Sequence, residues 1–444
     1  MKRTASTIPT PVTRRDFLKT SATATAVGAL ATLDVSRFAH AAGSDILKVG
    51  LIGCGGRNAG AGLQALTADP GARLVALSDI FQNRIQETLN NIRARKPEQV
   101  QVTPDHCFTG FDGYKQVVAA ADVVCIANAA KFHPLHVKAA VEAGKHVFVE
   151  KPHGIDPYGI KMLRAAVALA REKKLSLVSG LQSRYHEGYV ETVKRIQEGA
   201  IGEIIAIEEK FLRAPYRVFP RPAGMSELNW QCFTQYHFTW LSGDDVPQSL
   251  IHNLDRASWV LGDTPPEKCQ GLGGRSSMTD PIYGDVFDHH SVIYQWPNGV
   301  RVYAFCRTTS GCYDENSSTV LGTKGRAHLM QSRITGHTPW RWQGQCDPYQ
   351  VEHDRLFAAI RAGQPLNNGD YMCRSSLITI MGQLSCYTGQ EVTWEAVETS
   401  DFFFPPKPED CRDDMTPPTR PGPDGCYPTP IPGRTRLLEE VPAR

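Results

Sequence analysis

The sequence predicts an α/β protein: a parallel sheet wound with helices, then a second, α+β part built on a mainly antiparallel sheet. Three observations carry this. Short apolar runs alternate with stretches of helical periodicity between residues 46 and 179, the pattern of βαβ units. A glycine-rich turn follows the first run directly. Beyond Gly180 longer strand-like runs take over, two of them joined by Pro297-Asn298-Gly299, a strong hairpin signal.

Composition narrows the function. The chain has 444 residues, enough for two or three domains with real cores. Its 48 Lys+Arg nearly balance 46 Asp+Glu, and no basic stripe is interleaved with aromatics, so nucleic acid is not the expected partner. Twelve cysteines form no CxxC pair, and Cys306/Cys312 and Cys373/Cys386 are too widely spaced for a zinc finger. They read as buried single thiols, with no metal site.

Residues 1–41 read as an export signal. Thr13-Arg14-Arg15-Asp16-Phe17-Leu18-Lys19 precedes a mild apolar run from Ser21 to Leu33 and then Ala39-His40-Ala41, a small-x-small cleavage pattern. The order resembles the twin-arginine class, which implies periplasmic or other export of an already folded protein. No stable membrane span is expected after processing.

In the mature chain, Ile46 to Ile52 reads as a strand buried on both faces, running into Gly53-Cys54-Gly55-Gly56-Arg57-Asn58 and a helix to Ala68. Strands follow at 73–78, 122–127, 146–149 and 175–179, with helices at 83–95, 114–120, 133–143 and 160–173 between them. Residues 45–180 thus form one domain. Residues 181–400 form the second, with strands at 204–212, 286–296, 300–308 and 318–321 and helices at 248–261, 349–362 and 375–387. From Pro405 eleven of forty residues are proline, so residues 401–444 are expected to be an extended or loosely attached tail.

A dinucleotide needs a helix N-terminus that its pyrophosphate can approach, which favours residues without Cβ. Gly53 and Gly55 hold the first two positions of G-x-G-x-x-G, and Asn58 stands at the third. Asp79 closes the second strand, where a carboxylate accepts from the adenosine ribose and repels a 2′-phosphate, favouring NAD over NADP.

With Glu150-Lys151-Pro152 at the end of the strand 146–149, the chain resembles the Gfo/Idh/MocA oxidoreductases across residues 46–397. The resemblance also rests on the glycine turn, His252-x-x-Asp255 and the closing helices from Tyr349 to Tyr387. It implies a Rossmann domain, an open-faced sheet through which copies pair, and a sugar or polyol held between nicotinamide and sheet. It assigns Gly53, Gly55, Gly56, Arg57, Asn58, Asp79 and Glu150 to the cofactor, with Lys151 and His252 at the reacting carbon. Many relatives carry an aspartate four residues before that histidine, where this chain has Gln248. Glutamine takes up no proton, so either His252 works with Lys151 alone or Asp255 orients it. Arg184, Tyr185, His237 and Gln248 are the expected substrate contacts. In Asp288-His289-His290 strand alternation turns the two histidines to opposite faces.

The expected function is exported, NAD-dependent oxidation or reduction of a sugar or polyol, with the nicotinamide tightly bound. Two alternatives stand beside it: redox-neutral, NAD-dependent glycoside modification by a hydrolase or epimerase, and a non-catalytic sugar or nucleotide sensor.

Overall fold

The computed structural model describes residues 45–438; the export signal expected at residues 1–41 lies outside the described residues. Apolar runs too short for helices form six parallel strands: β1 (Leu47–Ile52), β2 (Ala72–Asp79), β3 (Cys107–Thr109), β4 (Val123–Ile126), β5 (His146–Val149) and β6 (Leu177–Ser179). Their order is β3-β2-β1-β4-β5-β6, the doubly wound arrangement in which the order of winding reverses between β1 and β4. Helices Gly56–Ala68 and Gln82–Arg95 cover one face through Ala65, Leu66, Ile85 and Leu89, and helices Gly113–Ala120, His133–Glu142 and Pro157–Glu172 cover the other. Strands covered on both faces need apolar side chains throughout, which is why β4 reads as an unbroken Val-Val-Cys-Ile. β3 escapes sequence reading because it has three residues and none is fully buried.

The second sheet has nine strands, β7 (Ile204–Arg213), β8 (Lys268–Gly274), β9 (His289–Gln295), β10 (Arg301–Thr308), β11 (Glu315–Gly322), β12 (Gly325–His328), β13 (Arg333–Gly336), β14 (Trp340–Arg341) and β15 (Val392–Thr393). They are ordered β14-β13-β12-β11-β7-β10-β9-β8-β15, with β7 and β10 the parallel pair among antiparallel neighbours. Alternate residues Val292, Tyr294, Val302, Ala304 and Cys306 turn inward. Helices Ile251–Val260 and Gly369–Thr388 pack on that face; Tyr294 donates to the Ile378 carbonyl at 3.1 Å. A Cβ on Gly382 would lie 2.0 Å from the Tyr294 hydroxyl, so glycine lets helix and sheet meet. The opposite face carries Leu272, Ile293, Tyr303 and Phe305, all partly or fully exposed.

The last long helix starts at Gly369, six residues before the expected 375, because Gly369 seats directly on Val167 of the first domain. The tail also departs from expectation. It is extended, with one short 3-10 turn, but it is not loosely attached. The Phe404 carbonyl accepts from Lys131 Nζ at 2.6 Å, the Thr419 carbonyl accepts from Gln231 Nε2 at 2.9 Å, Tyr427 donates to Glu227, and Cys411 and Tyr427 are buried. All twelve cysteines are free, eight of them buried. Among the described residues no helix is long and apolar enough to cross a membrane.

Burial holds several histidines neutral: it lowers His133, His146 and His237 to about 4 and His136 and His353 to about 3. Unfolded, each takes a proton near pH 6.5. Their contribution to stability is therefore fully present above about 6.5 and lost as pH falls toward 4, because the unfolded chain then binds more protons. Thermal melts should show Tm falling steadily from pH 7 to 4.5, and His353→Leu should reduce that slope; a Tm independent of pH across this range contradicts the account.

Candidate active site

Ligands of open parallel sheets bind beyond the carboxyl ends of the strands where the winding reverses. A cleft open to solvent occupies that place, lined by Gly53, Asp79, Phe111, Asn128, His136 and Gln235 among others. Gly53 has φ +86°, and a Cβ there would lie 2.7 Å from the Asn128 nitrogen, so the turn requires glycine. A Cβ on Gly55 or Gly56 would meet nothing within 4 Å. No side chain caps the helix Gly56–Ala68, so its first N–H groups are left for an anion such as pyrophosphate.

Asn58 at the third motif position has a job glycine cannot do. Fully buried, its Nδ2 donates to the carbonyls of Gly53 (2.7 Å), Ile52 (3.0 Å) and Cys125 (3.2 Å), tying the turn to the ends of β1 and β4. Asp79 is held by Cys54 N–H at 2.7 Å on Oδ2 and Phe81 N–H at 2.9 Å on Oδ1. Each oxygen keeps a lone pair for a ribose hydroxyl. This combination of open helix terminus and oriented carboxylate fits a dinucleotide.

Arg57 and Glu150, expected at the cofactor, form an ion pair with each other: Arg57 Nε lies 2.8 Å from Glu150 Oε1, while Nη2 donates to Gln64 at 2.6 Å and the guanidinium lies over the Tyr349 ring. Glu150 Oε2 accepts from the Lys151 amide at 3.1 Å. The pair braces the glycine turn against the end of β5. A second buried carboxyl, Glu352, lies near it with neither oxygen hydrogen-bonded among the described residues. Burial, then the charge of Glu150, holds its pKa well above the carboxylate range. Sequence gave no signal for it beyond its place on a helix.

Lys151 Nζ donates to the Gln248 carbonyl at 2.9 Å. Gln248 lies in a π-helical turn, Val246–Leu250, that leads into the helix Ile251–Val260 and hence into His252. Burial, then the positive charge of Lys151, holds the His252 imidazole well below its ordinary pKa, and its Nδ1 has no hydrogen-bond partner among the described residues. Lysine and histidine therefore converge, with the imidazole neutral near pH 7.

Asp255 does not orient His252. It is fully buried and accepts from Arg184 Nη2 at 2.8 Å and Ser375 Oγ at 2.8 Å. Arg184 is spent on that carboxylate and on Asp263 (2.7 Å), with Trp259 and Tyr371 against its guanidinium, so it is a structural ion pair and no substrate contact. Tyr185 likewise donates to Asn368 Oδ1 at 2.7 Å inside the protein. The Gln248 amide turns away to the Ser242 carbonyl, leaving its main chain to serve the site.

His237 lines a small cavity of about 220 Å³ with Arg213, Tyr216, Tyr236 and Asp245. Tyr216 and Tyr236 stack at 4.1 Å, Arg213 lies 3.7 Å over Tyr216, and Arg213 Nη2 donates to Asp245 at 2.6 Å. Burial raises the Tyr236 pKa most, with a smaller opposing effect of Lys151 that marks the two as neighbours. Of these, the aromatic stretch 230–240 was visible in sequence; its pairing with Tyr216 was not. His289 and His290 do face opposite ways, His289 pairing with Asp288 at 2.6 Å and His290 meeting Gln383 at 3.2 Å inside.

Residues 47–181 match the model of the oxidoreductase family with an NAD-binding Rossmann fold, and residues 189–328 match the GFO/IDH/MocA C-terminal domain. The chain belongs to the Gfo/Idh/MocA oxidoreductase family. Residues 11–31 match a twin-arginine translocation signal. The chain is 27% identical over 196 residues to the inositol 2-dehydrogenase/D-chiro-inositol 3-dehydrogenase of Halalkalibacterium halodurans, covering 44% of this chain and 46% of that protein. It thus spans less than half of that relative's length. A glycosyl hydrolase family 109 protein of Shewanella amazonensis is 26% identical over 365 residues, covering 74% of this chain and 70% of that one. Scyllo-inositol dehydrogenase of Lactobacillus casei, solved with NAD(H) and scyllo-inositol, shares the fold with TM-score 0.59 at 18% identity, covering 79% of this chain and 99% of that one.

Removing the Asn58 amide takes away the donor that ties the Gly53 carbonyl to the ends of β1 and β4, so Asn58→Ala should cost about 1–3 kcal/mol. Urea titration should show a lower midpoint with unchanged slope, together with weaker NAD binding; a variant as stable as the parent contradicts the role given to Asn58.

Proposed function

We propose that this Gfo/Idh/MocA protein is an exported NAD-dependent oxidoreductase acting on a CH–OH carbon of a sugar or polyol, with its nicotinamide retained through the cycle. The observation that carries the reading is the Lys151–Gln248 bond, which ties the ammonium to the turn leading into His252, whose imidazole the Lys151 charge helps to keep neutral. Bound NAD supplies the hydride acceptor or donor. Lys151 stabilises the negative charge that develops on the substrate oxygen. His252, half-buried and held neutral by burial and the neighbouring Lys151 charge, accepts the hydroxyl proton. With Gln248 in place of a carboxylate and Asp255 bound to Arg184, no carboxylate is bonded to the histidine among the described residues, so it works without a relay. The stacked Tyr216 and Tyr236 offer an apolar face suited to sugar C–H groups.

Free NAD is not expected outside the cytoplasm, so the cycle has to close on the enzyme. A second sugar can take the hydride, or the hydride can return to the same molecule after transient oxidation has acidified the neighbouring C–H. The latter is a redox-neutral route to epimerisation or glycoside cleavage, and it is favoured by the match to the glycosyl hydrolase family 109 protein across 74% of this chain. Pairing of copies through the uncovered face of β8–β10 is part of the proposal; sedimentation equilibrium tests it, a monomer at micromolar concentration arguing against.

Protein purified from the exported fraction should carry NAD(H) after dialysis; an empty protein needing millimolar NAD contradicts the retained cofactor. Absorbance at 340 nm that accumulates indicates net oxidation, and product without such absorbance indicates the redox-neutral route. Lys151→Met and His252→Asn should each lower kcat by about 10²-fold or more while nucleotide content stays near that of the parent. Because the His252 pKa is depressed, its basic form persists in mild acid: kcat/KM for oxidation should stay level from pH 7.5 through 6.5, and a fall centred at 6.5 or above contradicts its role.

A further inference from the structure

We propose that the C-terminal tail is part of the cofactor site: residues 410–427 hold down a roof over its adenosine end and slow release of the dinucleotide. The inference rests on the retained-nicotinamide reading above and assigns that retention to a particular segment. With pyrophosphate at the glycine turn and ribose at Asp79, the adenosine lies on past Asp79 toward Phe81, Arg84, Gly110 and Phe111, which line the same cleft. The cleft's other wall is made by Cys232, Gln235 and Leu241, from the second domain.

Tail residues hold both walls from outside. Asp413 Oδ1 accepts from the Phe111 amide at 3.1 Å, and its other oxygen lies 2.7 Å from where a Cβ on Gly110 would be. Gly110 and Phe111 form the loop after β3, so the tail braces one wall directly. The helix Glu227–Phe233, whose Cys232 reaches the cleft, is tied to the tail on its far side through Gln231 to the Thr419 carbonyl and Glu227 to Tyr427. Cys411 and Tyr427 are buried in one apolar cluster with Phe132, Cys232 and Trp240, and Met415, Phe81 and Phe111 pack against it. Across the rim, Arg84 lies between the rings of Phe81 (5.1 Å) and Phe233 (4.7 Å) and donates to the Phe233 carbonyl at 3.1 Å. A dinucleotide in this cleft is covered at its adenosine end by side chains from both domains, and those are kept in place by the tail. Release requires that roof to lift.

The test uses the purified protein with its bound nucleotide and follows NADH release by loss of its fluorescence when excess unlabelled NAD is added. Two variants are compared with the parent: a chain ending at Glu409, and Asp413→Ala/Met415→Ala. Each should release NADH at least about tenfold faster, the effect falling on dissociation rather than association, while still melting cooperatively in excess NAD. A folded variant of either kind that releases at the parent's rate overturns the proposal; if the shortened chain does not fold, the double variant alone decides. A parent that is itself empty overturns the retained-cofactor reading and this proposal with it, whereas a loaded parent with unchanged variants overturns the role of the tail alone.

Discussion

The hydrogen bond from Lys151 Nζ to the Gln248 carbonyl joins the two halves of the molecule at the point where chemistry is proposed. Lys151 comes from the end of a parallel strand in the first domain, and Gln248 from a π turn in the second. A π turn widens the helix by one residue and disturbs the usual i to i−4 pairing, which suits a carbonyl that accepts from elsewhere. The same turn sets where the following helix begins and so where His252 stands. Alter the turn and the distance between ammonium and imidazole changes, along with the fit of one domain to the other.

Around that bond the buried charges fall into groups, each neutralised nearby. Arg57 serves Glu150, with Glu352, its pKa raised by burial, beside them; Arg184 serves Asp255 and Asp263; Arg213 serves Asp245. A buried ion pair is a weak source of stability, but breaking one partner away is costly because the other charge is stranded. These pairs fasten the glycine turn, the His252 helix and the tyrosine stack in fixed relation. The cleft is therefore shaped by arginines that do not themselves line the dinucleotide cavity.

The parts of the fold legible in sequence were those governed by local periodicity. Strands buried on both faces, the glycine turn and the Asn298-Gly299 hairpin announce themselves within a few residues. Asp79, Lys151 and His252 could be proposed from sequence because each stands at a defined distance from such a feature. Arg184, Tyr185 and Asp255 have partners that sequence does not reveal: a polar side chain satisfies itself against a residue far along the chain, as Arg184 does with Asp263 and Tyr185 with Asn368. Asn58 was read as a departure from a motif, whereas its three bonds include one to Cys125, sixty-seven residues away. The tail was misread because proline content describes the backbone and not what its few aromatic and sulfur side chains dock against.

The free thiols bear on the order in which this protein must be made and moved. Eight are sealed inside the folded chain, distributed through both sheets and under the tail. A chain threaded unfolded into an oxidising medium would present all of them at once to random cross-linking. Transport in the finished state, by the route that residues 11–31 match, would keep those eight behind a wall of packed side chains, the interior itself then acting as the antioxidant.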